Sequence, residues 1–177
     1  MLATRQSWSN LQPLPAQFSI LSLQRKFTEP EYERLCDGLI PDRMEHKWFI
    51  FLEDNILYVH RSWTGYCIYQ LSLTREDSTY VISRALVNRD PNQYTWVDDR
   101  YDEKLLMFLI DHLLLGGRSP LPIAATVPVG IATDLHLQHV VGTGQSTERS
   151  TAVTPKEITL SEICGWLWHW LLLLIRR

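Results

Sequence analysis

The sequence has few cysteines and no large excess of charge of one sign. Its 177 residues include three cysteines, Cys36, Cys67 and Cys164, which are far apart and form no CxxC pair. This scattered, odd-numbered set argues against a disulfide framework and against a zinc site made mainly of thiolates. The formal net charge is -3. Because most nucleic-acid-binding proteins carry a strong basic excess, we expect no nucleic-acid partner.

Long hydrophobic runs are also lacking. The first 17 residues hold no apolar stretch long enough for a signal peptide. The most apolar run begins at Ile163 and ends at Ile175, and a membrane-spanning helix needs roughly 20 such residues. With 45% hydrophobic and 21% charged residues, the composition is typical of a globular protein. These observations predict a soluble, cytoplasmic protein.

Residues 46–87 carry the clearest structural pattern. Runs rich in aromatic and β-branched residues alternate there with short turn segments, which predicts an antiparallel meander of about four strands. The first run is apolar on both faces, so we expect it in the centre of the sheet. The predicted strands cover residues 46–52, 56–62, 66–73 and 79–87.

Helices are predicted on both sides of this meander. Thr28 and Glu31 have the spacing of a capping box, which favours a short helix that ends at Gly38. Asp98 or Asp99 is expected to cap a second helix that runs to about residue 115. The fold class is therefore α+β, with an antiparallel meander and helices packed on one face. We divide the chain into an N-terminal arm, residues 1–27, with an edge strand near 18–24, and one α+β domain, residues 28–177.

The densest group of residues that could carry chemistry lies between the second and third strands. Arg61 stands beside Trp63 and Tyr66, and a guanidinium with aromatic faces can hold a phosphate and stack a base or sugar. The alternative is that Arg61 stacks on its own neighbours and braces the hairpin. His60 and Ser62 are two residues apart and resemble a base and a nucleophile, but no third orienting group is visible. The hydroxyl of Ser62 would then simply bond to the turn.

We therefore assign no catalytic residue, and we predict neither a cofactor nor a metal. The candidate ligand-binding set is His60, Arg61, Ser62, Trp63 and Tyr66. His136 and His139 are three residues apart, but nothing near them completes the four ligands of a structural zinc. Asp98, Asp99, Asp102 and Glu103 open the second helix, where carboxylates favourably meet the helix dipole.

The apolar run from Ile163 to Ile175 predicts a final helix without a charged face. Such a helix is expected to be buried, to form an interface with a protein partner or a second copy, or to rest on a membrane surface. The stretch 119–147, whose only formal charge is Asp134, is expected either to pack on the domain or to form part of a site.

The strings KWFI, residues 47–50, and HRSWTG, residues 60–65, resemble a segment of small uncharacterised bacterial proteins. Some members of that family are associated with ADP-ribosylglycohydrolase domains. The resemblance implies an accessory role near ADP-ribose or NAD chemistry and assigns no catalytic residue. Three functions stay open: an accessory or binding domain, a small enzyme that acts on a nucleotide-like ligand, and an interaction protein that docks through its last helix.

Overall fold

The computed structural model describes residues 2–43, 45–95, 98–119 and Pro122. All of them belong to one compact unit, residues 1–144. The predicted final helix, the pair His136 and His139, and most of the low-charge stretch lie outside the described residues.

A six-stranded antiparallel sheet forms the centre of the described structure. Its strands are β1 (Phe18–Leu21), β2 (Lys26–Thr28), β3 (Trp48–Glu53), β4 (Ile56–Arg61), β5 (Cys67–Glu76) and β6 (Thr79–Asn88). The order is β1-β6-β5-β4-β3, and β2 also pairs with β6. The predicted four-stranded meander is confirmed as β3 to β6, and two further strands come from the N-terminal residues, with β1 at the predicted edge position.

Two-residue turns set the register of the meander. Asp54 and Asn55 have φ values of 53° and 59°, and a turn with two positive φ values matches the twist of the strands it joins. This turn aligns β3 with β4 up to the pair Trp48 and Arg61. The turn between β5 and β6 is equally tight, with Asp77 at φ 50°. As a result, β5 extends further than the sequence predicted.

The first strand of the meander is not central, and that prediction was wrong. β3 lies at the edge of the sheet. It is apolar on both faces because each face is covered by a different part of the chain. Trp48 and Ile50 join the main core with the helices, whereas Phe49 and Phe51 form a second cluster with N-terminal residues such as Ala3.

The outer edge of β3 is partly paired as well. The amide of Ile50 donates to the carbonyl of Leu39 at 3.0 Å, and the amide of Leu39 donates back at 2.7 Å. An unpaired strand edge is a template for unwanted pairing with other chains. The segment after the first helix therefore protects an edge strand that would otherwise expose its backbone.

Two helices pack on one face of the sheet, as predicted. They are α1 (Glu29–Asp37) and α2 (Asp99–Leu109), and a π-helical turn (Ile110–Leu114) continues α2. The capping box is confirmed: the amide of Glu31 donates to the Thr28 hydroxyl, and the Glu31 carboxylate accepts from the Thr28 amide at 2.8 Å. Asp98 caps α2. Leu35 of α1 and Leu106 of α2 are fully buried in the same cluster as Trp48. No described helix is long and apolar enough to cross a membrane.

Candidate functional site

A cavity of about 400 Å³ opens where β4 ends and the chain turns into β5. Four of the five predicted site residues line it: Arg61, Ser62, Trp63 and Tyr66. The other described residues of its lining are Lys47, Thr64, Asn92 and Gln93. We call this space the first cavity.

The turn that carries Trp63 is held at both ends by backbone hydrogen bonds. The amide of Gly65 donates to the carbonyl of Arg61 at 2.9 Å, and the amide of Arg61 donates to the carbonyl of Tyr66 at 2.9 Å. Gly65 has φ +72°, a positive value that a turn this tight needs and that glycine adopts without strain. The indole of Trp8 also donates to the carbonyl of Ser62 at 2.8 Å. The turn therefore forms a fixed wall.

The opposite wall is a loop that follows β6. The side-chain amide of Asn88, which is fully buried, donates to the Cys67 carbonyl and to the Gln93 side chain, each at 2.9 Å. The hydroxyl of Tyr94 donates to the buried carboxylate of Asp102 at 2.5 Å. These bonds tie the loop to β5 and to α2, so Asn92 and Gln93 are held at the first cavity.

The first cavity carries unbalanced positive charge. Lys47 and Arg61 both line it, and no carboxylate is among its described lining residues. Within the described part of the chain, neither side chain takes part in an ion pair. Burial lowers the pKa of Lys47, and repulsion by Arg61 lowers it further. Two cations without a counter-charge among the described lining residues favour an anion in this cavity.

Arg61 also stacks on an aromatic ring, but the ring belongs to Trp48 on the adjacent strand β3. Its guanidinium lies over the ring of Trp48, 4.0 Å from the ring centroid, and Trp48 is its partner in the β3–β4 register. Burial lowers the pKa of Arg61, and the nearby phenol of Tyr69 partly offsets this. An arginine stays charged under these conditions. Stacking uses the face of the guanidinium and does not engage the N–H groups at its edge.

His60 does not line the first cavity. It lies on the other face of the sheet, where its ring stacks on Phe51 at a centroid distance of 5.7 Å. Its side chain is buried, and Nδ1 lies 2.9 Å from the carbonyl oxygen of Gly65. Burial lowers the pKa of His60, and the charge of Arg5 adds to this effect.

Ser62 lines the cavity, but its hydroxyl hydrogen is already used. Oγ donates to the backbone carbonyl of His46 at 2.7 Å. The neighbouring thiol, Cys67, is buried, and burial raises its pKa to about 12, so it is not a ready nucleophile either. Neither the Ser62 hydroxyl nor the Cys67 thiol donates a hydrogen bond to the imidazole of His60, as the nucleophile of a nucleophile–base pair would.

The buried imidazole predicts a pH dependence of stability. Since the pKa of His60 is lowered in the folded state, the unfolded chain binds the proton more readily. Stability is then complete above about pH 6.5, the usual pKa of histidine, and falls as the pH drops toward the lowered value. Between pH 7 and pH 5, the free energy of unfolding should fall less in the variant His60→Gln than in the wild type. The difference between the two proteins should grow by up to about 1.4 kcal/mol per pH unit. Urea denaturation at both pH values measures this, and equal losses in the two proteins would contradict it.

The sequence prediction missed half of the lining. Lys47 had a usable signal, because a two-residue turn at Asp54 and Asn55 places position 47 beside position 62, and the amide of Ser62 indeed donates to the Lys47 carbonyl at 3.1 Å. Asn92 and Gln93 gave no such signal. Their position depends on bonds made by Asn88 and Tyr94 to distant parts of the chain.

The described residues contain no group of three or more histidine, cysteine or acidic side chains arranged to hold a metal ion. Comparisons of the chain with protein-family models, with curated proteins and with solved structures find no match. The geometry of the first cavity is therefore the main guide to function.

Proposed function

We propose that this protein is an accessory or binding domain that holds a phosphate-bearing, nucleotide-like ligand in the first cavity. The observation that carries the proposal is the pair of cations, Lys47 and Arg61, which share this cavity without a carboxylate among its described lining residues. A buried or half-buried cation normally has a partner. Here the partner is proposed to be the ligand.

The other lining residues suit a phosphate ester better than a simple ion. The guanidinium of Arg61 offers paired N–H donors that match two phosphate oxygens, and Lys47 adds a point charge. Thr64 and Asn92 also line the cavity, and their hydroxyl and amide groups are neutral hydrogen-bond donors. Trp63 exposes 64% of its surface beside these groups, and an exposed indole is a natural platform for a base or sugar.

Binding is favoured over catalysis because the two candidate catalytic residues, His60 and Ser62, are not placed to act together. His60 lies on the face of the sheet away from Arg61, and the hydroxyl of Ser62 is committed to the His46 carbonyl. The link to ADP-ribose or NAD chemistry rests on the resemblance of the HRSWTG segment. We also propose a cytoplasmic location and a partner that docks on the run from Ile163 to Ile175. Both of these proposals rest on the sequence pattern alone.

Arg61→Lys tests the proposal. The variant keeps the charge and loses the planar fork, so its affinity for adenosine monophosphate should fall about tenfold, the loss of roughly 1.4 kcal/mol that one charge-assisted bond supplies. Isothermal titration calorimetry measures this directly. Arg84→Lys is the matched control, because Arg84 also lies over an aromatic ring, Phe18, but does not line the cavity.

A ligand screen by thermal unfolding gives the companion result. Adenosine monophosphate or ADP-ribose at 100 times its dissociation constant should add about 2.7 kcal/mol of stability. A preference for ADP-ribose would support the link drawn from the HRSWTG segment. Wild-type protein that binds neither compound nor inorganic phosphate at millimolar concentration would refute the proposal.

A further inference from the structure

A second cavity, of about 490 Å³, adjoins the first. Its described lining consists of Trp8, Pro41, Asp42, Arg43, Ser62 and Trp63. Ser62 and Trp63 line both cavities. The two spaces are therefore neighbours that share one wall, formed by Ser62 and Trp63.

The two cavities differ in chemistry. The first holds Lys47 and Arg61 without a described carboxylate, so it favours an anion. The second is lined by two indoles and a proline, and its charged groups are of both signs, Asp42 and Arg43. Asp42 also lies 2.7 Å from the Nδ1 atom of His46. A site with flat apolar walls and a mixed polar rim suits an uncharged ring that carries hydrogen-bonding edges.

Trp8, a wall of the second cavity, is held in place by two contacts. Trp8 stacks on Phe49 at a centroid distance of 5.7 Å and donates its indole N–H to the Ser62 carbonyl. These contacts fix Trp8 against the turn that carries Trp63. A ring that enters the second cavity therefore need not order Trp8 first.

We propose that the two cavities are one site, in which a nucleotide lies across Trp63 with its phosphate at Lys47 and Arg61 and its base in the second cavity beside Trp8. This inference rests on the proposed function and adds the position of the base. It also states the ligand class more narrowly, because inorganic phosphate or a sugar phosphate would leave the second cavity unused.

Titrations with inorganic phosphate and with adenosine monophosphate test the inference. The wild type should bind the nucleotide at least tenfold more tightly than phosphate. Trp63→Ala should remove most of that difference, since loss of one base–aromatic stack has an effect of this order.

The indole N–H resonance of Trp8 locates the base, because Trp8 lines the second cavity and not the first. In ¹⁵N-labelled protein, with the signal assigned through Trp8→Phe, adenosine monophosphate should shift this resonance and inorganic phosphate should not. If both ligands bind equally and the Trp8 signal does not move, the second cavity is not part of the site, although the first cavity still binds an anion. If neither ligand binds, the proposed function itself fails, and this inference with it.

Discussion

Replacing Gly65 with alanine is expected to lower the free energy of unfolding by about 3 kcal/mol, the combined effect of a strained backbone and an overfilled site. Gly65 has φ +72°, and a Cβ atom built there would lie 2.0 Å from the carbonyl oxygen of Asn10. The obstructing atom belongs to the backbone, so no side-chain rotation removes the clash. Either the turn or the N-terminal segment must move.

Movement of the N-terminal segment is costly because several contacts hold it. The amide of Gln12 donates to the Gly65 carbonyl at 3.0 Å, and the indole of Trp8 donates to the Ser62 carbonyl. We expect Gly65→Val to be worse than the alanine variant, since a branched side chain tolerates positive φ least.

Gly116→Ala is the matched control for this experiment. Gly116 has φ +69°, close to that of Gly65, but the nearest atom to a Cβ there is 3.7 Å away, on the flexible side chain of Arg34. This variant should therefore show the backbone strain alone, about 1 kcal/mol. Urea denaturation of both variants separates strain from clash. Equal losses would show that the contact with Asn10 has no energetic weight.

Replacing Asp102 with alanine should be at least as damaging, with an expected loss of about 3–5 kcal/mol. The Asp102 side chain is fully buried, and it accepts hydrogen bonds from the hydroxyls of Tyr69 at 2.7 Å and Tyr94 at 2.5 Å and from the guanidinium of Arg89 at 2.7 Å. Burial raises the pKa of both tyrosines, and the neighbouring charges raise it further. Both phenols therefore stay protonated and can donate. Removing the carboxylate leaves these donors without their acceptor inside the core.

Asp99 provides the control, since it also pairs with Arg89 but is 54% exposed. Asp99→Ala should cost less than about 1 kcal/mol, as is usual for an exposed ion pair. Asp102→Asn should fall between the two, because an amide oxygen still accepts from a tyrosine but brings no charge. Denaturant unfolding of the three variants gives the ranking. A similar loss in the variants Asp99→Ala and Asp102→Ala would show that burial of the carboxylate is unimportant.

Asp102 also bears on the candidate site. Its bond to Tyr94 anchors the loop that brings Asn92 and Gln93 to the first cavity. The conservative variant Asp102→Asn is therefore expected to weaken binding of adenosine monophosphate through the loop, in addition to its effect on stability.

Local signals predicted much of this fold correctly. The capping box at Thr28 and Glu31, the cap at Asp98 and the turn at Gly65 are all present, because each depends on residues only a few positions apart. The strands of the meander were predictable for the same reason. Strand order was harder. An edge strand covered on both faces has the same apolar pattern as a central one, and nothing near Phe49 shows that residues from the N-terminus cover it.

In the candidate site, too, features set by nearby residues were predictable and features set by distant residues were not. Arg61, Trp63 and Tyr66 lie within one hairpin, so their proximity was visible in the sequence. Strand alternation explains why His60 points away from Arg61. No comparable local pattern predicts the hydrogen bonds of Tyr94 and Asn88 that position Asn92. Asp102 illustrates the limit most clearly. Its position in the first turn of α2 suggested a dipole contact, whereas its buried partners come from β5 and from two positions in the preceding loop.

The attachment of the first strands to β6 has a consequence for folding during synthesis. Phe18 pairs with Asn88, and Phe27 pairs with Tyr80. At translation rates of about 5–20 residues per second, the segment up to residue 28 waits roughly 3–12 s for its pairing partner to be made. During that interval the apolar face of Phe49 and Phe51 also emerges, and the chain that will cover it is already outside the ribosome. The N-terminal residues that cover Phe49 and Phe51 are therefore synthesised before the strand that they cover.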